Sequence, residues 1–231
     1  MKKTLIATSI ASAVSLSALT LPSVASAEVS ANVGVVSNYF FRGVTQTDDS
    51  AAVQGGLDYA HESGFYAGTW ASTVDFGDDT SYELDLYGGY GGSIGDLGYD
   101  VGYIYYAYPD GDDLDFGEIY GSLTYSYFTA GLAYTVNSQA DAGPFTEGDM
   151  YYYAGADVPF GDTGFSGSLY YGYYAFDDDG ETGFEDLDYD HWTASVAKDV
   201  GEFGSFSMNF EKADIEGADD LKVWISWSKS F

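Results

Sequence analysis

His61 and His191 are the only imidazoles in this 231-residue chain, and cysteine is absent. His191 lies among Asp188, Asp190, Thr193 and Ser195, the residue types of a hydrolytic centre in which an imidazole takes the proton of a hydroxyl nucleophile. Strand parity puts His191, Thr193 and Ser195 on one polar face. Any water-lined strand looks the same, no Gly-x-Ser-x-Gly elbow is present, and short matches of this kind arise often by chance. No catalytic residue is assigned.

Two acidic clusters invite a calcium reading. Asp110, Asp112, Asp113 and Asp115 form one, and Asp177, Asp178 and Asp179 the other. An EF-hand loop needs oxygen ligands at positions 1, 3 and 5, Gly at 6 and Glu at 12. Leu114 takes the fifth position counted from Asp110, and Thr182 the sixth counted from Asp177. No metal or cofactor is assigned. The clusters are read as outer-loop carboxylates, either holding divalent cations loosely or forming a solvated rim that repels anions. Arg42 is the single basic residue between Lys3 and Lys198. It sits where the first strand-like segment meets the first long connection, on the same side as Asn38 and Phe40. Pairing with Glu83 or Asp85 is expected there, because an Arg facing lipid is costly near the midplane.

The elements that position these residues are strands. Twelve strand-like segments follow Val29, joined by eleven connections. The odd connections, 42–50, 74–81, 109–118, 137–149, 177–190 and 211–220, carry 26 of the 37 carboxylates. The even ones, 60–64, 92–96, 126–127, 159–164 and 198–202, are short and nearly neutral. A chain running up and down puts odd connections at one end and even ones at the other, the asymmetry of an outer-membrane β-barrel.

Residues 1–27 read as a secretory signal: basic Lys2 and Lys3, an apolar stretch, and Ala25-Ser26-Ala27 as the cleavage site. The remainder, 28–231, holds five basic side chains against 37 acidic ones, a formal charge of −32. Nucleic acid is excluded as a partner, since its binding depends on Lys and Arg. Beyond the signal no run of 18 apolar residues exists, which excludes a spanning helix. Acidic disordered chains are poor in aromatics, whereas this one has 23 Tyr, 15 Phe and 4 Trp.

Period-2 alternation separates a barrel from a soluble sandwich. Ala51, Val53, Leu57 and Tyr59 alternate with Gln54, Gly56 and Asp58; Tyr82, Leu84, Leu86 and Tyr90 alternate with Glu83, Asp85 and Gly89. Aromatics bracket aliphatics, as Tyr82 and Tyr90 bracket Leu84 and Leu86, and Tyr39 and Phe41 are placed at the end of the first strand. That is the girdle of a lipid-facing barrel, whereas a sandwich core wants its bulk in mid-strand. Val223, Ile225 and Trp227 alternate toward a closing Phe231, which resembles the signal read by barrel assembly machinery, with Lys229 where an apolar residue is usual. The expected fold is all-β: an antiparallel up-and-down transmembrane barrel of about twelve strands.

The stretch Ser37-Asn38-Tyr39-Phe40-Phe41-Arg42-Gly43-Val44-Thr45-Gln46-Thr47 resembles the TorF family of porins. Ala52–Gly56, Gly64–Trp70, Glu83–Tyr90 and Ser228–Phe231 extend that resemblance over nearly the whole exported chain. It implies an outer-membrane location and a pore, and it supplies no substrate and no catalytic residue. Twelve strands lie between eight, which side chains fill, and sixteen, which leave a channel. A narrow opening for ions or small solutes is expected, lined by Arg42, Asp58, Glu83, Asp85 and Asp100, with carboxylates favouring cations. The other reading is a closed structural barrel, adhesin or receptor acting through its acidic loops. Expected partners are outer-membrane lipid, the assembly machinery and small cations or solutes. Deleting Phe231 is expected to leave soluble or degraded protein in the periplasm; unchanged outer-membrane yield on fractionation would show that the terminal strand carries no signal.

Overall fold

The computed structural model describes residues 27–181, 183–184 and 186–231. The expected signal segment, except Ala27, lies outside the described residues, as do Thr182 and Glu185. The strands are β1 (Glu28–Val36), β2 (Phe40–Phe41), β3 (Val44–Thr45), β4 (Ala52–Ala60), β5 (Phe65–Thr73), β6 (Tyr82–Ile94) and β7 (Leu97–Ala107). They continue with β8 (Phe116–Tyr125), β9 (Phe128–Ser138), β10 (Met150–Pro159), β11 (Phe165–Ala175), β12 (Tyr189–Asp199), β13 (Ser205–Ala213) and β14 (Lys222–Ser230).

Twelve of these, β1 and β4 to β14, close into one antiparallel barrel. β1 pairs with β4 on one side, from Glu28↔Ala60 to Val36↔Ala52, and with β14 on the other, from Asn32↔Ser230 to Val36↔Ser226. The seam is finished by Phe231, whose N–H donates to the Ala31 carbonyl at 2.8 Å while Ala31 N–H donates to the Phe231 carbonyl at 3.2 Å. Closure leaves the barrel without an edge strand, which is how a barrel satisfies its backbone.

Side chains are distributed inside out. Gln54, Glu83, Asp85, Asp100, Thr129, His191, Asn209 and Ser226 are buried, while Val53, Leu57, Leu86, Val101, Leu132, Leu169, Met208 and Ile225 are exposed. Exposed apolar area this continuous is foreign to a soluble monomer. Exposed aromatics gather at the ends of this belt: Tyr59, Phe65, Tyr125, Phe128 and Phe165 by the tight turns, Tyr82, Tyr152 and Tyr173 by the long loops. Short connections such as 95–96 and 126–127 turn on left-handed residues, Gly95 at φ 66° and Ser126 at φ 57°. Two others contain a single 3-10 turn, Gly161–Thr163 and Gly201–Phe203.

Three expectations are corrected. Glu118, Asp190 and Glu211, counted above among loop acids, belong to β8, β12 and β13. Tyr39 and Phe41 do not end the first strand, because β1 stops at Val36. The first long connection does not stand out from the barrel; its ribbon β2–β3 is folded into the interior, where Phe40 is 2% and Arg42 1% exposed. The cause is local. Arg42 (φ 49°) and Gly43 (φ 89°) both have positive φ, the pattern of the two-residue I′ turn that reverses a hairpin sharply.

Gly43 is required twice at this turn, since a Cβ there would also lie 2.7 Å from the Cβ of His191. Left-handed backbone costs a non-glycine residue roughly 1–2 kcal/mol, and forcing extra volume into a packed site costs a similar amount. Gly43→Ala is therefore expected to lower the urea midpoint of the folded barrel by the equivalent of about 2–4 kcal/mol. Gly77→Ala, a left-handed glycine with nothing within 4 Å, is expected to show the conformational part alone.

Candidate functional site

The first connection, residues 37–51, is braced before it enters the lumen. Thr45 Oγ1 donates to Asn38 Oδ1 at 2.6 Å, Thr47 Oγ1 donates to the Ser50 carbonyl at 2.6 Å, and Asn38 Nδ2 donates to Asp49 at 2.7 Å. Lys222 Nζ closes the brace on the other carboxylate oxygen of Asp49 at 2.6 Å. That ammonium contact, helped by Asn38, holds the exposed Asp49 carboxyl below its ordinary range.

At the tip, Arg42 crosses the lumen to β8. Its Nη1 and Nη2 donate to Glu118 Oε1 and Oε2 at 2.8 and 2.6 Å, with both side chains 1% exposed. The guanidinium carbon stands 4.2 Å from the ring centre of Tyr151, 4.6 Å from that of Phe41 and 4.9 Å from that of Tyr174. Arg42 thus lies inside the barrel, but its partner is Glu118, not Glu83 or Asp85. β8 and β9 shift register between Gly117↔Asn137 and Glu118↔Thr135, with the extra residue, Val136, on β9; Glu118 keeps the inward parity of Tyr120 and Ser122 on β8.

Aromatic rings fill the space around the ion pair. Phe40 stacks on Trp224 at 6.0 Å and Phe41 meets Tyr106 edge-on at 5.5 Å. Phe145, from the connection between β9 and β10, leans in to stack on Phe116 at 4.8 Å and meet Tyr174 at 5.8 Å. Beside that ring Asp149 is buried, and burial pushes its carboxyl up to about 6, although the backbone N–H groups of Thr146 and Asp177 donate to it.

His191 belongs to the floor beneath the ribbon. Its Nε2 is 2.8 Å from the Tyr151 hydroxyl and its Nδ1 3.1 Å from Glu211, while Thr193 Oγ1 donates to the same Glu211 carboxylate at 2.8 Å. Tyr151 and Glu211, not Thr193 or Ser195, occupy the two ring nitrogens. His61 is elsewhere, in a tight turn, 2.7 Å from Ser63 Oγ.

The inner wall carries carboxylates on both sides of the ribbon. Glu83 accepts from the Tyr39 hydroxyl at 3.2 Å, and Asp85 lies two residues on along the same face of β6. Nearer the tight turns, Tyr66 donates to Asp100 at 2.8 Å and lies 2.5 Å from the Tyr120 hydroxyl, while Tyr87 donates to Asp58 and Tyr170 to Asp157. Here the wall is half-buried at Gly56, Tyr87, Tyr120, Ser168 and Ser195, less enclosed than around the ribbon. Glu118, Glu211, Asp157 and the ring of Tyr151 were not singled out from the sequence. Parity does carry them, since Glu118 aligns with Tyr120 and Ser122, and Glu211 with Asn209.

The outer acidic clusters accept hydrogen bonds from their own loops and from neighbouring ones. Asp110 accepts from Ser81 at 2.6 Å, and Asp115 accepts from Tyr108 N–H at 2.7 Å and the Tyr105 hydroxyl at 2.9 Å. Asp178 accepts from Gly143 N–H at 2.7 Å and Asp179 from Leu187 N–H at 2.5 Å. Asp112, Asp113 and Asp177 are exposed. At the closing strand, Val223 and Ile225 face outward, and Trp227 Nε1 donates to the Phe203 carbonyl at 2.8 Å. Phe231 is 70% exposed.

Removing one partner of a buried ion pair costs about 3–5 kcal/mol, while replacing both with apolar groups is often neutral. Arg42→Met alone is expected to destabilise the barrel by that amount in urea titrations, and Arg42→Met with Glu118→Met to recover most of it. Additive losses would show that the pair is not coupled.

Comparison with known proteins follows the same lines. Among curated proteins none matches this chain. Among solved structures the barrel is similar to the KdgM porin, at 6% identity and a TM-score of 0.58, covering 87% of this chain and 98% of that one. The KdgM porin in complex with disordered oligogalacturonate aligns at 6% identity and 0.55, over 88% and 97%. Omp33, an outer membrane protein of Acinetobacter baumannii, aligns at 9% identity and 0.51, over 88% and 97%. At such identities the likeness is one of fold. A family model matches residues 22–222, and its description is not the TorF name that the motifs resemble. By that match the chain belongs to the Gcw_chp family, bacterial proteins of unknown function.

Proposed function

We propose that this protein is an outer-membrane porin with a narrow, cation-preferring path, constricted by its first connection. The observation that carries this reading is the charge inside the barrel. Asp58, Glu83, Asp85, Asp100, Asp157 and Glu211 face the interior with Tyr, Asn, Thr or His partners or, for Asp85, beside the Glu83 carboxyl, and Arg42 is already neutralised by Glu118. Rings of carboxylate favour cations. The apolar outer belt with its aromatic ends supports a membrane location, and the TorF-like first stretch points the same way. Insertion through the barrel assembly machinery follows from the Phe231 strand. The extent of burial around Phe40 and Arg42 favours a second reading, a closed barrel presenting its acidic loops as an adhesin or receptor.

Reversal potentials across a KCl gradient in planar bilayers separate these readings. Exposed loop charges act within a Debye length, about 10 Å at 0.1 M salt, whereas charges inside low-dielectric walls are screened less. Cation preference is expected. Glu83→Gln with Asp85→Asn should reduce it even at high salt; neutralising Asp177, Asp178 and Asp179 should matter mainly at low salt. Anion preference refutes the mechanism, and absence of conductance selects the closed barrel.

A further inference from the structure

We propose that Glu83 and Asp85, together with the phenol oxygens of Tyr39 and Tyr108, form a discrete binding site for a hard cation between β6 and the inward-folded first connection. The site deepens the cation-path reading above and rests on it for its access route.

The two carboxylates project from the same face of β6, two residues apart, and their carboxyl groups interact directly. Glu83 is 1% and Asp85 6% exposed. Tyr39 donates to Glu83, and the Tyr108 hydroxyl also reaches it. Asp85 Oδ1 is buried without a hydrogen-bond partner. Ionised carboxylates only accept, so neither can satisfy the other, and two like charges at that spacing do not both persist without a counter-charge.

No side chain supplies that charge. Among the described residues Arg42 is held by Glu118, Lys222 by Asp49 and Lys198 by the Thr163 carbonyl. Lys229 stands over the Phe231 ring, and Lys212 is exposed on the outer face of β13. Two carboxylates and phenol oxygens are hard donors, the kind that suit calcium and similar ions and not soft transition metals. The phenol of Tyr39 comes from the inward-folded connection, so the ion also fastens that connection to β6.

The test uses Tb3+, which replaces calcium and luminesces when a nearby tyrosine is excited, titrated into the full exported chain in detergent micelles. Expected is a saturable, tyrosine-sensitised component displaced by Ca2+. Its affinity should fall by about tenfold or more, a change of about 1.4 kcal/mol, in Glu83→Gln with Asp85→Asn. It should fall less in Tyr39→Phe and persist in Asp177→Asn with Asp178→Asn. Both carboxamides are isosteric, and heat-modifiable gel migration confirms that each variant is a folded barrel. Persistence in the Glu83/Asp85 variant with loss in the Asp177/Asp178 variant overturns the site in favour of loop binding. An infrared band of a protonated carboxyl at neutral pH, absent from Glu83→Gln, overturns it in favour of a shared proton. The readout needs no conductance, so a Tb3+ site in a non-conducting barrel would defeat the porin reading and leave this one standing.

Discussion

Every backbone N–H and C=O of a strand must find a partner, and here the only partners on offer are neighbouring strands. That constraint closes the sheet. β1 serves as the neighbour of both β4 and β14, so the first strand completes what the last would leave open. Once the ring is closed, period-2 alternation sorts all side chains into two environments, and an inward position must be either filled or wet. A twelve-stranded ring is too wide to be filled by its own wall residues alone. The chain supplies the missing volume from its first connection, where Phe40, Phe41 and Arg42 enter the space between β8, β10, β11 and β14.

The inserted ribbon brings one positive charge into a wall of negative ones, and desolvation makes that charge choose a partner. Glu118 takes both terminal guanidinium nitrogens of Arg42, and the rings of Tyr151 and Tyr174 lie against the guanidinium. Four of the remaining carboxylates, Asp58, Glu83, Asp100 and Asp157, are served by tyrosine hydroxyls, a donor that satisfies an oxygen without cancelling its charge. The interior is hydrogen-bonded almost throughout and yet electrically negative. That combination separates packing, which the aromatic rings provide, from charge, which the carboxylates keep.

Much of this was legible in the residues. Alternation placed Gln54, Glu83 and Asp85 inside and Val53 and Leu57 outside because the strand period is two and admits no compromise. Twelve strands, their closure and the long-looped end followed from the same count. What escaped was non-local. Phe40 and Arg42 continue a strand-like alternation, and only the positive φ of Arg42 and Gly43 turns that stretch into a ribbon. The pairing of Arg42 with Glu118 and not Glu83 joins residues far apart in the chain, and no local pattern marks it. Glu118 and Glu211 were grouped with the loops because strand ends grade into loops wherever acidic residues continue past the boundary.

The sequence separations of these contacts bear on how the molecule is made. Arg42 meets Glu118 across 76 positions, and Lys222 meets Asp49 across 173. Phe40 rests on Trp224, in the last strand. The contacts with Lys222 and Trp224 cannot exist until the last strand has arrived, so this part of the ribbon's packing and the β1–β14 seam draw on the same strand. Contacts made after the transition state govern how fast a protein comes apart more than how fast it forms. The ribbon is in that sense a timing element: a pin set when the ring closes, whose grip determines the lifetime of the closed ring.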